Sequence, residues 1–357
     1  MNDFRTFKTA RREPAVVGEP IVDPAGWNPE DLTSNEDWIY HLSDQDIGDL
    51  TAGVEAIRAG GKGIVDMKHG DFQAGAFAET LKDIRHELLD GRGLVMLRGL
   101  PVDAMGVEAS AMAYFGIGTH LGHPLRQNAQ GHVLGHVKDL GGDYSDPNTR
   151  GYLTKAEMKF HADHSDYVGL LCLKQGKSGG ESRVASSITL YNRILEQRPD
   201  LVRELCNDWH WTKHQQTNSA DELPYFTQPI FMFEQGVFSA RGLSSYVIKA
   251  QGLPGVPDFT PAQKEAIELY RATVEECATD ILFQAGDIQL LHNHVLLHSR
   301  RSFEDFPEPE RKRHLMRLWL RDPEGRTLPG YMREGLFGAG VELDGVAASA
   351  PLDVEAA

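Results

Sequence analysis

Residues 286–300 read GDIQLLHNHVLLHSR, a stretch that joins a short apolar run to three histidines. The apolar run at residues 288–291 follows the turn-forming pair Gly286-Asp287, a pattern typical of a buried strand. His292, His294 and His298 all carry even numbers, so the alternation of side chains along a strand does not separate them. The stretch therefore predicts a buried strand followed by a candidate metal-binding imidazole.

Similar apolar runs recur on either side of this stretch, separated by turn-rich segments. They lie at residues 93–99, 133–137, 168–173, 231–234 and 315–320. Two helices are predicted ahead of them, one capped by Ser43 with Asp46 three residues on, the other over residues 72–89. Further helices are predicted at residues 189–195 and 261–277. Many short strands with a few helices predict a mainly β, α+β fold.

The sequence pattern divides the chain into three parts. Residues 1–90 are expected to form an N-terminal arm and helical extension packed on the core, and residues 91–322 the β core. Residues 323–357 are expected to form a partly flexible C-terminal tail, because their last part is rich in Gly and Ala. The N-terminal extension is long enough to serve as a lid or as the contact surface of a homo-oligomer.

The amino-acid composition disfavours several classes of binding partner and cellular setting. The net charge of −16 disfavours binding to nucleic acid, which needs clustered Lys and Arg. It disfavours an anionic membrane surface as well. No apolar run approaches the roughly 18 residues of a membrane-spanning helix. The three cysteines are widely spaced and odd in number, so they predict no disulfide framework, and a reduced, cytoplasmic setting is expected.

Residues 160–164 read FHADH and supply a second chemical signal. On a strand, His161 and Asp163 would point to the same face. With a second imidazole from elsewhere they would complete a two-His, one-carboxylate triad, which leaves open positions on iron(II). Such a pair alone is weak evidence, and the sequence ahead of it, including Gln127 and His136, is expected to be mostly polar surface.

Three sequence motifs, taken in their order along the chain, resemble those of a known protein family. They are the pair His161 and Asp163, the turn Ser178-Gly179-Gly180-Glu181-Ser182, and the stretch that runs from Gly286 through Asn293, His298, Arg300 and Phe303 to Arg313 and Arg317. Over about residues 90–322 the chain resembles the taurine dioxygenase and clavaminate synthase superfamily of iron(II)/2-oxoglutarate oxygenases. The resemblance implies a double-stranded β-helix, or jelly-roll, core.

The same resemblance implies a site and a reaction. His161, Asp163 and His298 would bind Fe(II), and His292 and His294 would lie behind the ligands or in solvent. Arg313, helped by the Ser182 hydroxyl, would bind the C5 carboxylate of the co-substrate 2-oxoglutarate, and Arg317 an anionic group of the primary substrate. With O2 as second co-substrate, the enzyme would hydroxylate an unactivated C–H bond of a small anionic molecule and release succinate and CO2. A carboxylate at position 163 argues against halogenation.

Two other readings remain open at this point. A zinc or cupin-type metalloenzyme would use the cluster of His292, His294 and His298, since zinc favours histidine ligands around an open position. It would leave the Gly-Gly turn and the two arginines unexplained. A non-catalytic jelly-roll binding protein is the other reading, although such proteins usually lose a member of the triad, and none is missing here.

Overall fold

The structure is a computed structural model that describes Phe4 and residues 11–142, 151–213, 222–333 and 345–353. Its helices within these ranges are α1 (Pro29–Thr33), α2 (Asp44–Ala59), α3 (Phe77–Asp90), α4 (Val102–Leu121), α5 (Ser187–Gln197), α6 (Pro199–Leu205), α7 (Ser245–Ala250) and α8 (Pro261–Glu276). The described helices include none that is both long and apolar enough to cross a bilayer.

The strands of the described residues are more numerous and mostly short. They are β1 (Ile39–His41), β2 (Leu94–Arg98), β3 (His123–Pro124), β4 (Leu134–Lys138), β5 (Met158–His161), β6 (Tyr167–Lys174), β7 (Ser178–Gly179), β8 (Ser182–Ser186), β9 (Trp209–Thr212), β10 (Tyr225–Gln228), β11 (Phe231–Glu234), β12 (Val237–Ala240), β13 (Ala278–Ile281), β14 (Ile288–His292), β15 (Leu296–Arg300), β16 (Phe303–Glu304) and β17 (His314–Arg321).

Two sheets form the core. The larger has the order β1-β2-β14-β6-β17-β3, with β4 also paired to β17, and the smaller has the order β13-β8-β15-β5. All neighbours are antiparallel except β1 and β2. This mixed α+β arrangement with a jelly-roll core confirms the predicted fold class.

The larger sheet is buried on both faces. In β2, Leu94 and Met96 join an apolar cluster that also contains residues of the smaller sheet, such as Val184 and Leu296. The alternate residues Val95 and Leu97 join a second cluster built with α2, α3 and α4. Burial on both faces is why these strands read as continuous apolar runs rather than alternating ones.

Most predicted elements occur where the sequence placed them. All six predicted strands are present, and Ser43 caps α2, its hydroxyl accepting the Asp46 N–H at 3.2 Å. Helix α3 begins at Phe77, five residues later than predicted. Helix α4 was not predicted, because it is buried on nearly every side and therefore lacks a polar stripe.

Part of the predicted tail packs against the core. Ser349 accepts the N–H of Val133 and donates to the carbonyl of Gly131, both at 2.9 Å. Ala348, Ala350 and Leu352 pack on the cluster under the helices. Residues 345–353 therefore lie along the β4 edge, which the Gly- and Ala-rich composition did not predict. Residues 334–344 and 354–357 lie outside the described residues.

Candidate metal centre and its cavities

His161, Asp163 and His298 meet where β5 pairs with β15. His161 and His298 are direct cross-strand partners, and their ring centroids lie 4.3 Å apart. One ligand atom from each of the three residues lies within 4.8 Å of the others. Strand β5 ends at His161, so Asp163 reaches the cluster from the irregular segment that follows. The expectation that one strand face presents both residues was wrong, although the predicted cluster forms.

Hydrogen bonds and burial set both imidazoles up as ligands. His161 Nδ1 lies 2.8 Å from the carbonyl oxygen of Lys159. A carbonyl only accepts, so in the neutral ring Nδ1 carries the proton and Nε2 offers its lone pair. His298 Nε2 lies 3.8 Å from Asp163 Oδ2. Burial lowers the pKa of His298 to about 3, so its ring is neutral at pH 7, the form that binds metal.

Asp163 is held as a carboxylate. Burial by itself would raise its pKa, but Arg317, His298 and His161, with the Trp319 N–H, together lower it well below its usual range. Trp319 Nε1 donates to Oδ2 at 2.8 Å, and Arg317 Nη1 lies 3.4 Å from Oδ1. These contacts fix the orientation of the carboxylate towards the two imidazoles.

The backbone around Asp163 is also anchored. Its N–H donates to Asn293 Oδ1 at 3.2 Å, and its carbonyl accepts from Arg241 Nη1 at 2.7 Å. Asn293 in turn donates to the Ser165 carbonyl at 3.1 Å. The sequence motif contains Asn293 but does not indicate its contact with Asp163. Nothing in the sequence links Arg241 to residue 163, so sequence reasoning missed it.

Two neutral imidazoles and one carboxylate are the donor set of a non-heme iron(II) facial triad. His161 donates its second ring nitrogen to a backbone carbonyl, which is the usual support of a metal-bound histidine. The residues present therefore fit the implied iron.

A small cavity of about 40 Å³ lies beside His298 and contains Ser182, Arg313 and Arg317 on its walls. Arg313 is buried. Its Nη2 donates to the Gly180 carbonyl at 3.2 Å, and its Nη1 has no hydrogen-bond partner among the described residues. Burial lowers the pKa of Arg313 to about 10, so the guanidinium remains charged at pH 7. The cavity thus contains a buried cation with a donor still to be paired.

The Gly-Gly turn makes room for this arginine. Gly180 has a φ of +76°, and a Cβ there would lie 3.0 Å from Arg313 Nε and 3.2 Å from Phe303 Cβ. Glycine is therefore required both by the backbone conformation and by the closeness of the guanidinium. This is the structural reason for the Gly179-Gly180 pair in the motif.

The Ser182 hydroxyl is hydrogen-bonded to a residue that the sequence analysis missed. Its hydroxyl donates to Gln289 Oε1 at 2.8 Å, and Gln289 Nε2 has no partner among the described residues. Gln289 lies in the middle of the buried strand β14, so an amide in an otherwise apolar run was the available signal. Ser182 thus offers a polar group in the cavity that Arg313 also lines.

A larger cavity of about 520 Å³ opens on the other side of the triad. Tyr152, Trp211, Tyr246 and Trp319 provide its aromatic walls. Its charged lining consists of the cations Lys159, Arg241, Lys249 and Arg317 and, among the described residues, a single carboxylate, that of Asp163. The cavity lining therefore contains more cations than carboxylates, although Lys159 also pairs with Glu157, at 3.2 Å.

Arg317 belongs to both cavities. Its Nε donates to Gln127 Oε1 at 2.8 Å, and its guanidinium lies 4.8 Å from the Tyr152 ring centroid and 4.7 Å from that of Trp319. Arg313, Leu315 and Arg317 all line the small cavity, so the two arginines share a face as predicted. Gln127 is buried, and its expected place on the polar surface was wrong.

His292 and His294 do not join His298. Both are buried, and His294 Nε2 pairs with Asp166 Oδ1 at 2.7 Å. The metal-competent clusters among the described residues contain neither of them. The reading of a zinc or cupin centre built on His292, His294 and His298 is therefore wrong. Of the two places expected for His292 and His294, behind the ligands or in solvent, burial excludes solvent.

The chain belongs to the taurine catabolism dioxygenase TauD, TfdA family, whose model matches residues 59–319. Two similar proteins are the FR-33289 synthase of Streptomyces rubellomurinus and the taurine hydroxylase-like protein SAT17 of Stachybotrys chartarum. The first is 27% identical over 323 residues, covering 88% of this chain and 94% of the relative. The second is 27% identical over 330 residues, covering 88% and 83%.

Solved structures share the fold. An asparagine oxygenase in complex with Fe(II), 2S,3S-3-hydroxyasparagine and succinate superimposes with a TM-score of 0.61 at 18% identity, covering 80% of this chain and 94% of its own. The non-heme iron oxygenase OrfP in complex with Fe and alpha-ketoglutaric acid gives a TM-score of 0.60 at 16% identity, covering 80% and 94%.

Family membership confirms the predicted enzyme class, a 2-oxoglutarate-dependent dioxygenase that uses iron(II) and O2. It also excludes the reading of a non-catalytic binding protein.

Proposed function

We propose that His161, Asp163 and His298 bind the iron, that Arg313 and Ser182 bind the C5 carboxylate of 2-oxoglutarate, and that Arg317 binds an anionic group of the primary substrate. The observation that carries this assignment is the position of the triad beside two cavities: buried Arg313 lines only the small one, and buried Arg317 lines both. When bound, iron(II) supplies the activation of O2 that oxidises the co-substrate and the substrate.

The small cavity suits the co-substrate. Arg313 has an unpaired Nη1 and a charged guanidinium that can hold a carboxylate by two parallel bonds. Ser182, which also lines this cavity, can turn its hydroxyl from Gln289 to the incoming carboxylate. His298 on the same wall places the other end of the molecule at the metal.

The larger cavity suits a small anionic substrate. Its lysines and arginines attract a carboxylate, sulfonate or phosphonate, while its aromatic walls exclude water from the reacting carbon. The ligands named for the asparagine oxygenase and for OrfP are hydroxylated amino acids, which fits a carboxylate-bearing substrate here. We propose hydroxylation of an unactivated C–H bond of such a molecule.

The experiment compares the two arginines. Candidate carboxylates, sulfonates and phosphonates, with matched neutral amides, are screened for substrate-dependent succinate release by the iron-loaded protein. Arg313→Gln should raise the KM for 2-oxoglutarate by about 10- to 100-fold, since a charge-assisted bidentate contact is lost. The exposed neighbour Arg311, which packs on Phe306, gives the control Arg311→Gln, which should leave that KM unchanged.

Arg317→Gln should instead raise the KM for the anionic substrate while changing the KM for 2-oxoglutarate much less. Arg321→Gln, four residues further along β17 and outside both cavities, is its control. If neutral amides are turned over as well as the acids, the proposal of an anionic substrate is wrong. If the KM for 2-oxoglutarate responds to Arg317→Gln and not to Arg313→Gln, Arg317 binds the co-substrate instead.

A further inference from the structure

A second group of two imidazoles and a carboxylate lies at the edge of the larger sheet. His136 lies on β4, His314 begins β17, and Asp353 lies in the C-terminal segment that packs beside β4. One ligand atom from each lies within 4.8 Å of the others. None of the three lines the cavities beside the iron triad, so this group is separate from the active site.

The protonation state of His136 follows from its neighbours. Its Nε2 lies 2.8 Å from the Pro351 carbonyl oxygen, which only accepts, so Nε2 carries the proton. In neutral His136, Nδ1 then accepts the N–H of His314 Nε2 at 2.8 Å. A cation bound between the two rings would replace this proton, and His314 can carry a proton on Nδ1 instead. A ring that donates one nitrogen to a carbonyl and offers the other is arranged as metal-bound histidines are.

The distances suit a small divalent cation after a slight adjustment. Two nitrogens bound tetrahedrally to zinc at its usual bond length lie about 3.3 Å apart. The imidazoles must therefore separate by about half an ångström. Asp353 Oδ1 lies 3.9 Å from His314 Nε2 and would move inward by a similar amount. Lys138 contacts both Asp353 oxygens, at 2.8 and 2.9 Å, and holds the carboxylate near the rings.

We propose that His136, His314 and Asp353 bind a second divalent cation of the zinc class, which fastens residues 345–353 to β4 and β17. Both imidazoles are buried, and the carboxylate comes from the segment that the cation would secure. Nitrogen and carboxylate ligands are those that zinc takes in proteins, with water as the fourth. His136 and His314 adjoin Val137 and Arg313, which line the small cavity, so the cation would also stiffen that wall.

The test uses the full chain with the iron centre removed. Metal-free His161→Ala/His298→Ala protein is titrated with Zn²⁺ by calorimetry and with Co²⁺ by visible absorption. One cation should bind per chain. Adding His136→Gln should weaken binding by at least about 100-fold, and adding Asp353→Asn by about tenfold, because a ligand is lost in each.

His132→Gln is the matched control, since His132 lies close by but contacts Asn128 instead, at 3.1 Å. It should bind zinc as the parent does. Asp353 is half exposed, so Asp353→Asn should keep the fold, and circular dichroism verifies this. Absence of zinc binding to the parent, or equal affinity in all the variants, would overturn the proposal and leave a hydrogen-bonded histidine pair. Enzyme activity does not enter the readout, so the result is independent of the proposed function.

Discussion

Within the part of the chain that the structure describes, two clusters have the same donor set and different surroundings. His161, Asp163 and His298 lie between two cavities in the core of the jelly roll, and arginines face each cavity. His136, His314 and Asp353 lie at the edge of the larger sheet. There Lys138 pairs with the Asp353 carboxylate, and the Pro351 carbonyl accepts the N–H of His136 Nε2. The first cluster borders two cavities, of about 40 and about 520 Å³, and the second lies against a packed polypeptide segment.

This difference shows that the ligands alone do not define the chemistry of such a site. A triad becomes an oxygenase centre when open metal positions meet cavities that can orient a co-substrate and a substrate. The same three side chains without such space serve at most to hold segments together. Three pairs of variants can test this comparison.

The largest effect is expected from removing a ligand of the core cluster. His298→Gln should lower iron-dependent 2-oxoglutarate turnover by at least about a thousandfold, because the facial triad has no spare ligand and the metal supplies several kcal/mol of stabilisation. His136→Gln removes an imidazole from the edge cluster and should leave turnover within about threefold of the wild type. Succinate formation measures both. If turnover falls by comparable factors in the two variants, the proposed difference in function between the two clusters is wrong.

A smaller effect is expected from the residue that orients the carboxylate. Trp319→Phe keeps an aromatic ring but removes the N–H that donates to Asp163 Oδ2, and iron(II) affinity should fall by about tenfold. Trp209→Phe is the control, because Trp209 is equally buried but donates to the Glu204 carbonyl. Anaerobic iron titration gives both affinities. Equal affinity in the two variants would show that the Trp319 bond contributes nothing to the centre.

The smallest effect is expected at the edge cluster's lysine. Lys138→Gln breaks the ion pair with the half-exposed Asp353, and the free energy of unfolding should fall by less than about 1 kcal/mol, as for other exposed pairs. Lys82→Gln, which breaks the exposed pair with Glu79, should give a similar value. Denaturant unfolding measures both. If Lys138→Gln costs more than His136→Gln, the ion pair and not the imidazoles secures the tail.

Local patterns in the sequence were enough to predict the strands and the grouping of the three candidate ligands. The apolar runs predicted the strands because both faces of the larger sheet are buried, and the ordered motifs brought His298 to His161 and Asp163. Helix α4 escaped because a helix buried on most sides has no polar face, and its small residues match no amphipathic pattern.

The support of the site was beyond sequence reasoning. Gln127, Arg241 and Gln289 come from separate segments, and only the fold brings them to Arg317, Asp163 and Ser182. Each is a polar residue whose partner lies far along the chain, so no spacing rule identifies it. The C-terminal contact at His136 escaped for the same reason, because it joins residues more than 200 positions apart.

Arg317 is a single cation placed between two anions, the Asp163 carboxylate and the proposed acidic group of the substrate. A substrate that draws Arg317 towards itself weakens the contact with Asp163 Oδ1, now at 3.4 Å, and leaves that oxygen with more charge to offer iron. Thermodynamic reciprocity then requires that bound iron strengthen substrate binding by the same factor. The two ligands of this enzyme are thus expected to bind cooperatively, with one guanidinium carrying the coupling free energy between them.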